Sequence, residues 1–252
     1  MLINSEYVIA IPSYNRSKEL NNKTLNLLNN YSIDKNKINI FVANEEEEII
    51  YKNNLNVDYY NKIIVGELGI RNQRIFISKY YPEGERIVSM DDDITGIIEF
   101  IKKNETKNVE NLNELINYFF SNCILNNSFL FGVYPTPNPF WMSDKIHKNL
   151  KFIIGVFHGY INRKDEDLYP NEKCIVKEDL EQSILFYKKD KIILRFDKFC
   201  FLTKFNAPGG LGQDRFEMNK QAQDYLVKTY PDICHRKFKK SGMPEIRITQ
   251  PK

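Results

Sequence analysis

Cysteine is scarce: the 252 residues include four, Cys123, Cys174, Cys200 and Cys234, with no Cys-x-x-Cys pair. That spacing excludes a zinc knuckle and any recognisable disulfide framework, and it reads as core-packing thiols in a reducing compartment. Glycine and proline, at 11 and 10, are too few for a fibrous or linker-rich chain. An excess of one charge is missing too. The 36 Lys and Arg against 33 Asp and Glu leave +3, so no overall field draws the chain to nucleic acid or to a membrane, and any such contact rests on a local patch. No apolar run approaches the roughly 18 residues of a membrane span, and no basic segment leads into an apolar one at the N-terminus. The expectation is a cytoplasmic protein with no membrane partner. What is there, 42% hydrophobic and 27% charged residues, is the composition of a folded chain long enough for one large α/β domain or two small ones.

Short apolar runs alternate with helical patterns through the first half. Tyr7 to Ile11, Ile38 to Ala43, Lys62 to Val65 and Arg86 to Met90 read as strands, the first and last buried. Leu20 to Tyr31, Glu45 to Leu55 and Ile70 to Tyr81 read as the helices between them, the second favoured by its acidic start. Right-handed crossovers turn such a series into a doubly wound parallel sheet. The second half is mixed. Leu112 to Ile124 has the spacing of an amphipathic helix. Phe129 to Tyr134, Phe152 to Ile161 and a long Ile192 to Leu202 read as strands, and Glu178 to Lys188 and Phe216 to Tyr230 as helices. Pro135 to Pro139 is a stiff loop presenting Phe140, Trp141 and Met142. No repeat or linker is visible, so 1–252 reads as one domain with two lobes.

Asp91-Asp92-Asp93 ends one of the buried strands. Three adjacent carboxylates repel one another unless a cation or several donors offset them. In an extended segment alternate side chains share a face, so Asp91 and Asp93 are expected to point together at one ion and Asp92 away. Two hard oxygen donors, with positions left for phosphate and water, suit Mg²⁺ or Mn²⁺. Ligands of open α/β sheets gather at the carboxyl ends of strands, where this triplet lies; a solvated acidic turn is the competing reading. Pro12 to Arg16 holds the equivalent place after the first strand. Main-chain donors, a helix start and a guanidinium there suit a diphosphate, or form a plain turn and cap. Asn44 and Glu45 either read a base edge or cap a helix, and Gly69 to Arg74 brackets an amide with two arginines. The four turns follow consecutive strands and form one constellation.

These motifs resemble those of GT-A fold nucleotide-sugar glycosyltransferases: Ile11 to Arg16, Gly69 to Asn72, Asp91 to Asp93 and Glu178-Asp179. The chain is most similar among them to the TET/JBP-associated glycosyltransferases, related to the base J glucosyltransferase. Arg71 to Arg74 ahead of Asp91 to Ile94, Pro137 to Met142, and Glu178-Asp179 followed by Pro208-Gly209-Gly210 carry that likeness. The resemblance spans about Tyr7 to Arg236. It implies an α/β GT-A fold, a Rossmann-like, mainly parallel sheet flanked by helices with a smaller mixed acceptor lobe. Residues 1–103 would bind the nucleotide sugar, and 104–252 would bind the acceptor and complete catalysis.

The resemblance further implies a metal-dependent, inverting transferase that moves a hexose from a UDP-sugar, UDP-glucose foremost, to an acceptor hydroxyl such as a 5-hydroxymethylpyrimidine in DNA. Asp91, Asp93 and His235 would hold Mn²⁺ or Mg²⁺. Ser13, Arg16, Asn44 and Glu45 would line the nucleoside end, with Gly69, Arg71, Asn72 and Asp92 on ribose or sugar. Gly209, Gly210 and Arg215 would close over the diphosphate. Asp179 matches the general base, which takes the acceptor proton as the oxygen attacks the anomeric carbon. Glu178, Phe140 and Trp141 would meet the acceptor, the rings stacking an extruded base. Arg236 to Lys240 is the best local basic patch, and it either tracks a DNA backbone or keeps the surface solvated. The rivals are transfer to a glycan or protein and a non-catalytic nucleotide-sugar or DNA-binding module; the retained carboxylates speak against the last.

Overall fold

A computed structural model describes residues 6–203 and 215–251. The four apolar runs of the first half form β1 (Val8–Pro12), β2 (Ile38–Val42), β3 (Lys62–Val65), a half-buried edge strand, and β4 (Arg86–Met90), parallel in the order β3-β2-β1-β4. Both faces of this sheet are covered, which is why its strands are nearly continuous apolar runs. In β4, Val88 and Met90 pack with α1 (Ser17–Leu20), α2 (Asn26–Asn30) and α5 (Leu112–Leu125). Ile87 packs on the other face with α4 (Ile70–Tyr80), α6 (Glu178–Asp190) and α7 (Arg215–Thr229). The helix α3 (Glu45–Asn54) starts where Asn44 accepts the Glu47 amide at 2.9 Å, and Glu45 to Glu48 fill its first turn, where acidic groups favour the helix dipole.

The sheet continues into the second half. β9 (Phe157–Ile161) runs antiparallel to β4 and to β7 (Leu130–Val133), β10 (Leu194–Phe196) is parallel to β7, and β8 (Ile146–His147) closes the edge. The eight-stranded sheet is thus the mainly parallel, helix-flanked α/β arrangement expected, with two small antiparallel sheets beside it. Because β9 is antiparallel to β4, the residues just before it lie at the same edge as the carboxyl end of β4. All four cysteines are free and buried, as expected. Among the described residues no helix is long and apolar enough to cross a membrane.

The long strand expected over Ile192 to Leu202 is two strands in different sheets. β10 ends at Phe196, and β11 (Phe199–Leu202) turns away to pair with β5 (Gly96–Lys102). The break falls at buried Asp197, whose carboxylate is held by Arg195 at 2.7 Å and by His147 at 3.0 Å. Such a fixed charge re-aims the chain where the apolar pattern alone reads on. The strand expected from Phe152 begins only at Phe157. Two hairpins went without assignment in the sequence: β5 with β6 (Glu105–Asn108), turning through left-handed Asn104, and β12 (Cys234–Phe238) with β13 (Pro244–Ile248), turning through Gly242 at φ 78°.

Candidate active site

The loop leaving β1 and the turn leaving β4 meet because their strands are neighbours, about 4.8 Å apart. Asn15 adopts a left-handed φ of 55°, a conformation asparagine tolerates, and its amide donates to Glu47 Oε2 at 2.9 Å. Ser13 Oγ donates to Asp92 Oδ2 at 2.6 Å and lies 2.7 Å from the Tyr51 hydroxyl, which also accepts the Arg16 amide at 3.1 Å. The Arg16 guanidinium spans two aspartates, Asp92 at 3.0 Å and Asp93 at 2.8 Å. Thr203 donates to the other Asp93 oxygen.

Asp91 faces elsewhere. It pairs at 3.1 Å with Arg74, which also donates to the Gly155 carbonyl at 2.9 Å and to Glu178. The expected alternation of the triplet is therefore not what forms. The chain turns at Asp92 and Asp93 instead of running on extended, so Asp92 and Asp93 converge on one guanidinium while Asp91 meets another. Asp179 lies beside this group: its Oδ2 accepts the Gly155 amide at 3.0 Å and its Oδ1 the Leu180 amide at 2.8 Å. Gly155 is thus held from both sides. A Cβ there would come within 3 Å of Nη1, Nη2 and Cζ of Arg74.

Five carboxylates, Asp91, Asp92, Asp93, Glu178 and Asp179, surround two guanidiniums, Arg16 and Arg74. If all ionise, three negative charges are unmatched. Burial pushes Asp92 up to about 7 and Asp91 up to about 6, although 32% of the Asp91 side chain stays open. Burial raises Glu178 and Asp179 as well, against the pull of Arg74. Among the described residues, no group of three or more His, Cys, Asp or Glu side chains is arranged to hold a metal ion. A cation needs fewer protein donors where phosphate and water complete its shell. The surplus of hard oxygen ligands fits a divalent cation in charge and in donor type.

The remaining expected residues are placed as follows. Asn44 caps α3, as the blander reading had it, and Glu45 is exposed on the first turn of that helix. Gly69 precedes α4 at φ 90°; Arg71 donates to the Pro170 carbonyl at 2.7 Å and to Asn72 at 2.7 Å. Phe140 and Trp141 are 46% and 64% exposed and meet edge to face at 4.6 Å, with Lys103 4.5 Å above the Phe140 ring. Arg215 opens α7, exposed. His235 lies on β12, its ring 2.8 Å from Thr249 Oγ1. Among the described residues, none of these last four bonds to the aspartates. Gly209 and Gly210 lie outside the described residues.

Glu47, Tyr51 and the bridging role of Arg74 escaped the sequence reading. Glu47 and Tyr51 stand four apart on α3, one face of a helix, and that spacing beside Asn44 was the available signal.

No protein-family model matches the sequence, and no curated protein matches it. Solved structures do resemble the fold. A mycobacterial protein superposes with a TM-score of 0.54 at 6% identity, over 97% of this chain and 83% of its own. Glucosyl-3-phosphoglycerate synthase from Mycobacterium tuberculosis, solved with Mn²⁺, UDP and glucosyl-3-phosphoglycerate, superposes with a TM-score of 0.53 at 8% identity, over 97% of this chain and 87% of its own. At such identities the likeness speaks for the fold alone, and that fold is the GT-A arrangement.

Proposed function

We propose that the protein is a metal-dependent, inverting glycosyltransferase that moves a hexose from a UDP-sugar, with UDP-glucose as first candidate, to an acceptor hydroxyl. The observation that carries this reading is the convergence of five carboxylates and two arginines at the carboxyl edge of a GT-A sheet. The solved neighbour that carries UDP and Mn²⁺ on the same fold supports it. Residues 1–103 serve the donor and 104–252 the acceptor.

Asp91, which is left partly open beside Arg74, and Asp93, which pairs with Arg16, would hold Mn²⁺ or Mg²⁺, and the cation would offset charge on the departing diphosphate. Ser13 and Arg16 orient the donor beside Asp92, and Arg71 and Asn72 approach its sugar. Asp179, raised by burial, takes the proton of the acceptor hydroxyl. That oxygen bonds to the anomeric carbon as the bond from carbon to the diphosphate oxygen breaks, UDP leaving with the electron pair. The two amides on Asp179 leave lone pairs of its carboxylate for this proton.

The acceptor to test first is a hydroxymethylated pyrimidine in DNA, as the likeness to the TET/JBP-associated enzymes suggests. The exposed Phe140 and Trp141 beside Lys103 support it, since base stacking on aromatic rings next to a cation is a sequence-tolerant mode. Calorimetric titration of UDP with Mn²⁺, and again with EDTA, tests the donor site; binding that EDTA abolishes is expected. No binding of UDP in the presence of Mn²⁺ would overturn the reading. Transfer from UDP-glucose to hydroxymethylated oligonucleotides, against glycan acceptors, then tests the acceptor.

A further inference from the structure

The helix after β1 is irregular. Between α1 and α2 it widens into a π turn over Asn21–Leu25, a rare geometry that is mostly a single turn and frequent at functional sites. Two adjacent residues of that turn, Thr24 and Leu25, are fully buried, Leu25 in the apolar core. Thr24 has another partner. Its Oγ1 donates to the Asp91 carbonyl at 2.8 Å and accepts the Ile94 amide at 2.9 Å.

Asp91 and Ile94 are the first and fourth residues of the turn that carries the aspartates. In a closed β-turn these two main-chain groups bond to each other. Here the threonine hydroxyl stands between them, one donor and one acceptor matched to each. A turn spanned by a hydroxyl is wider than one closed on itself, and the bridge fixes the main chain that carries Asp91 at its first position and Asp92 and Asp93 at its centre. The same helix grips the side chains of the turn from its other end, because Arg16 at the start of α1 pairs with Asp92 and Asp93.

We propose that Thr24 is a positioning residue: it sets the backbone of the Asp91–Ile94 turn, and with it the spread of the Asp91 and Asp93 carboxylates, for cation-assisted binding of a nucleoside diphosphate. This rests on the donor-site reading above. A Thr24 that served folding alone would lower stability without changing how strongly Mn²⁺ promotes UDP binding.

The full-length chain with Thr24→Val keeps the side-chain shape and loses the hydroxyl; Thr24→Ser keeps the hydroxyl. Calorimetry with UDP and Mn²⁺ is expected to show Thr24→Val weakened about tenfold or more, the range for residues that orient metal ligands. Thr24→Ser should restore the affinity, neither the variant nor the wild type should bind UDP in EDTA, and the Ile94 amide should exchange faster in Thr24→Val. Should that variant not fold, Thr24→Cys, which keeps a side chain of similar size but replaces the hydroxyl with a weakly bonding thiol, is read in the same way. Wild-type affinity in Thr24→Val, or a folded Thr24→Ser as weak as Thr24→Val, overturns the inference alone. No Mn²⁺-dependent UDP binding in the wild-type protein overturns the donor-site reading, and this inference with it.

Discussion

Replacing Arg74 by methionine removes the guanidinium that Asp91, Glu178 and the Gly155 carbonyl share. The Arg74 and Glu178 side chains are only 10% and 9% exposed. Methionine fills much of the space but leaves those carboxylates without a partner, and taking one member from a buried ion pair costs about 3–5 kcal/mol. In a chain of this size each kcal/mol moves the melting temperature by about 2–4 °C, so a drop of roughly 6–20 °C is expected. The effect should depend on pH in a definite sense. Burial holds Asp91 at about 6 and raises Glu178, above the values of an unfolded chain. The folded state then binds more protons than the unfolded one, so these groups lower stability as pH rises. Without Arg74 that slope steepens, and the gap between variant and wild type should be wider at about pH 8 than at about pH 5.5. Thermal melts followed by circular dichroism at both values, without metal, read the outcome. A melting temperature matching the wild type at both would refute the burial of this pair. A gap that closes on going to the higher pH would refute the sign of the argument.

Asp91→Asn with Asp93→Asn should abolish Mn²⁺-dependent UDP binding in calorimetry; retained binding would remove the metal role from the triplet. Asp179→Asn should bind UDP as the wild type does yet transfer sugar at least about 100-fold more slowly, the usual effect of losing a general base. A product assay showing the wild-type rate would remove Asp179 from that role. Gly155→Ala drives a methyl into the Arg74 guanidinium, so it should lower both melting temperature and transfer, and an unchanged variant would contradict the close approach. Away from the site, burial raises the Glu245 carboxyl, but Lys177 at 3.0 Å outweighs it and leaves the group below its usual range. A depressed carboxylate stabilises above its unfolded value and loses that contribution as pH falls through the folded one. The stability lost in Lys177→Met should therefore shrink on acidification through the carboxylate range in urea titrations, and a constant loss would show the pair contributes nothing.

The strands β1, β2 and β4 were legible because both of their faces are buried. Nothing alternates in Ile9-Ala10-Ile11 or Ile38 to Val42, and a short apolar run between helical patterns has few other readings. The second half hid its elements where polar contacts decide the path of the chain. Asp197 ends β10 because it is pinned by Arg195 and His147, yet in the sequence it is one charge inside an apolar run. The hairpin of β5 and β6 carries its apolar residues at one end and charge at the other, so it offers no clean period of two.

The site shows the same division. Its residue types were legible, because three consecutive aspartates after a buried strand demand compensation wherever they fold. Their pairing was not, because it depends on a turn whose geometry is set from outside. Asp91 reaches Arg74 from α4, Asp92 and Asp93 reach Arg16 before α1, and Thr24 holds the main chain between them. No local pattern around residues 91–93 encodes those partners. The arginines also supply two charges to five carboxylates, and stability alone would favour more cations or fewer acids here. Protons meet part of that deficit, since burial raises Asp91 and Asp92 into the range of about 6 to 7, and the proposed divalent cation would meet the rest when the donor binds, because the same deficit that costs stability would attract it.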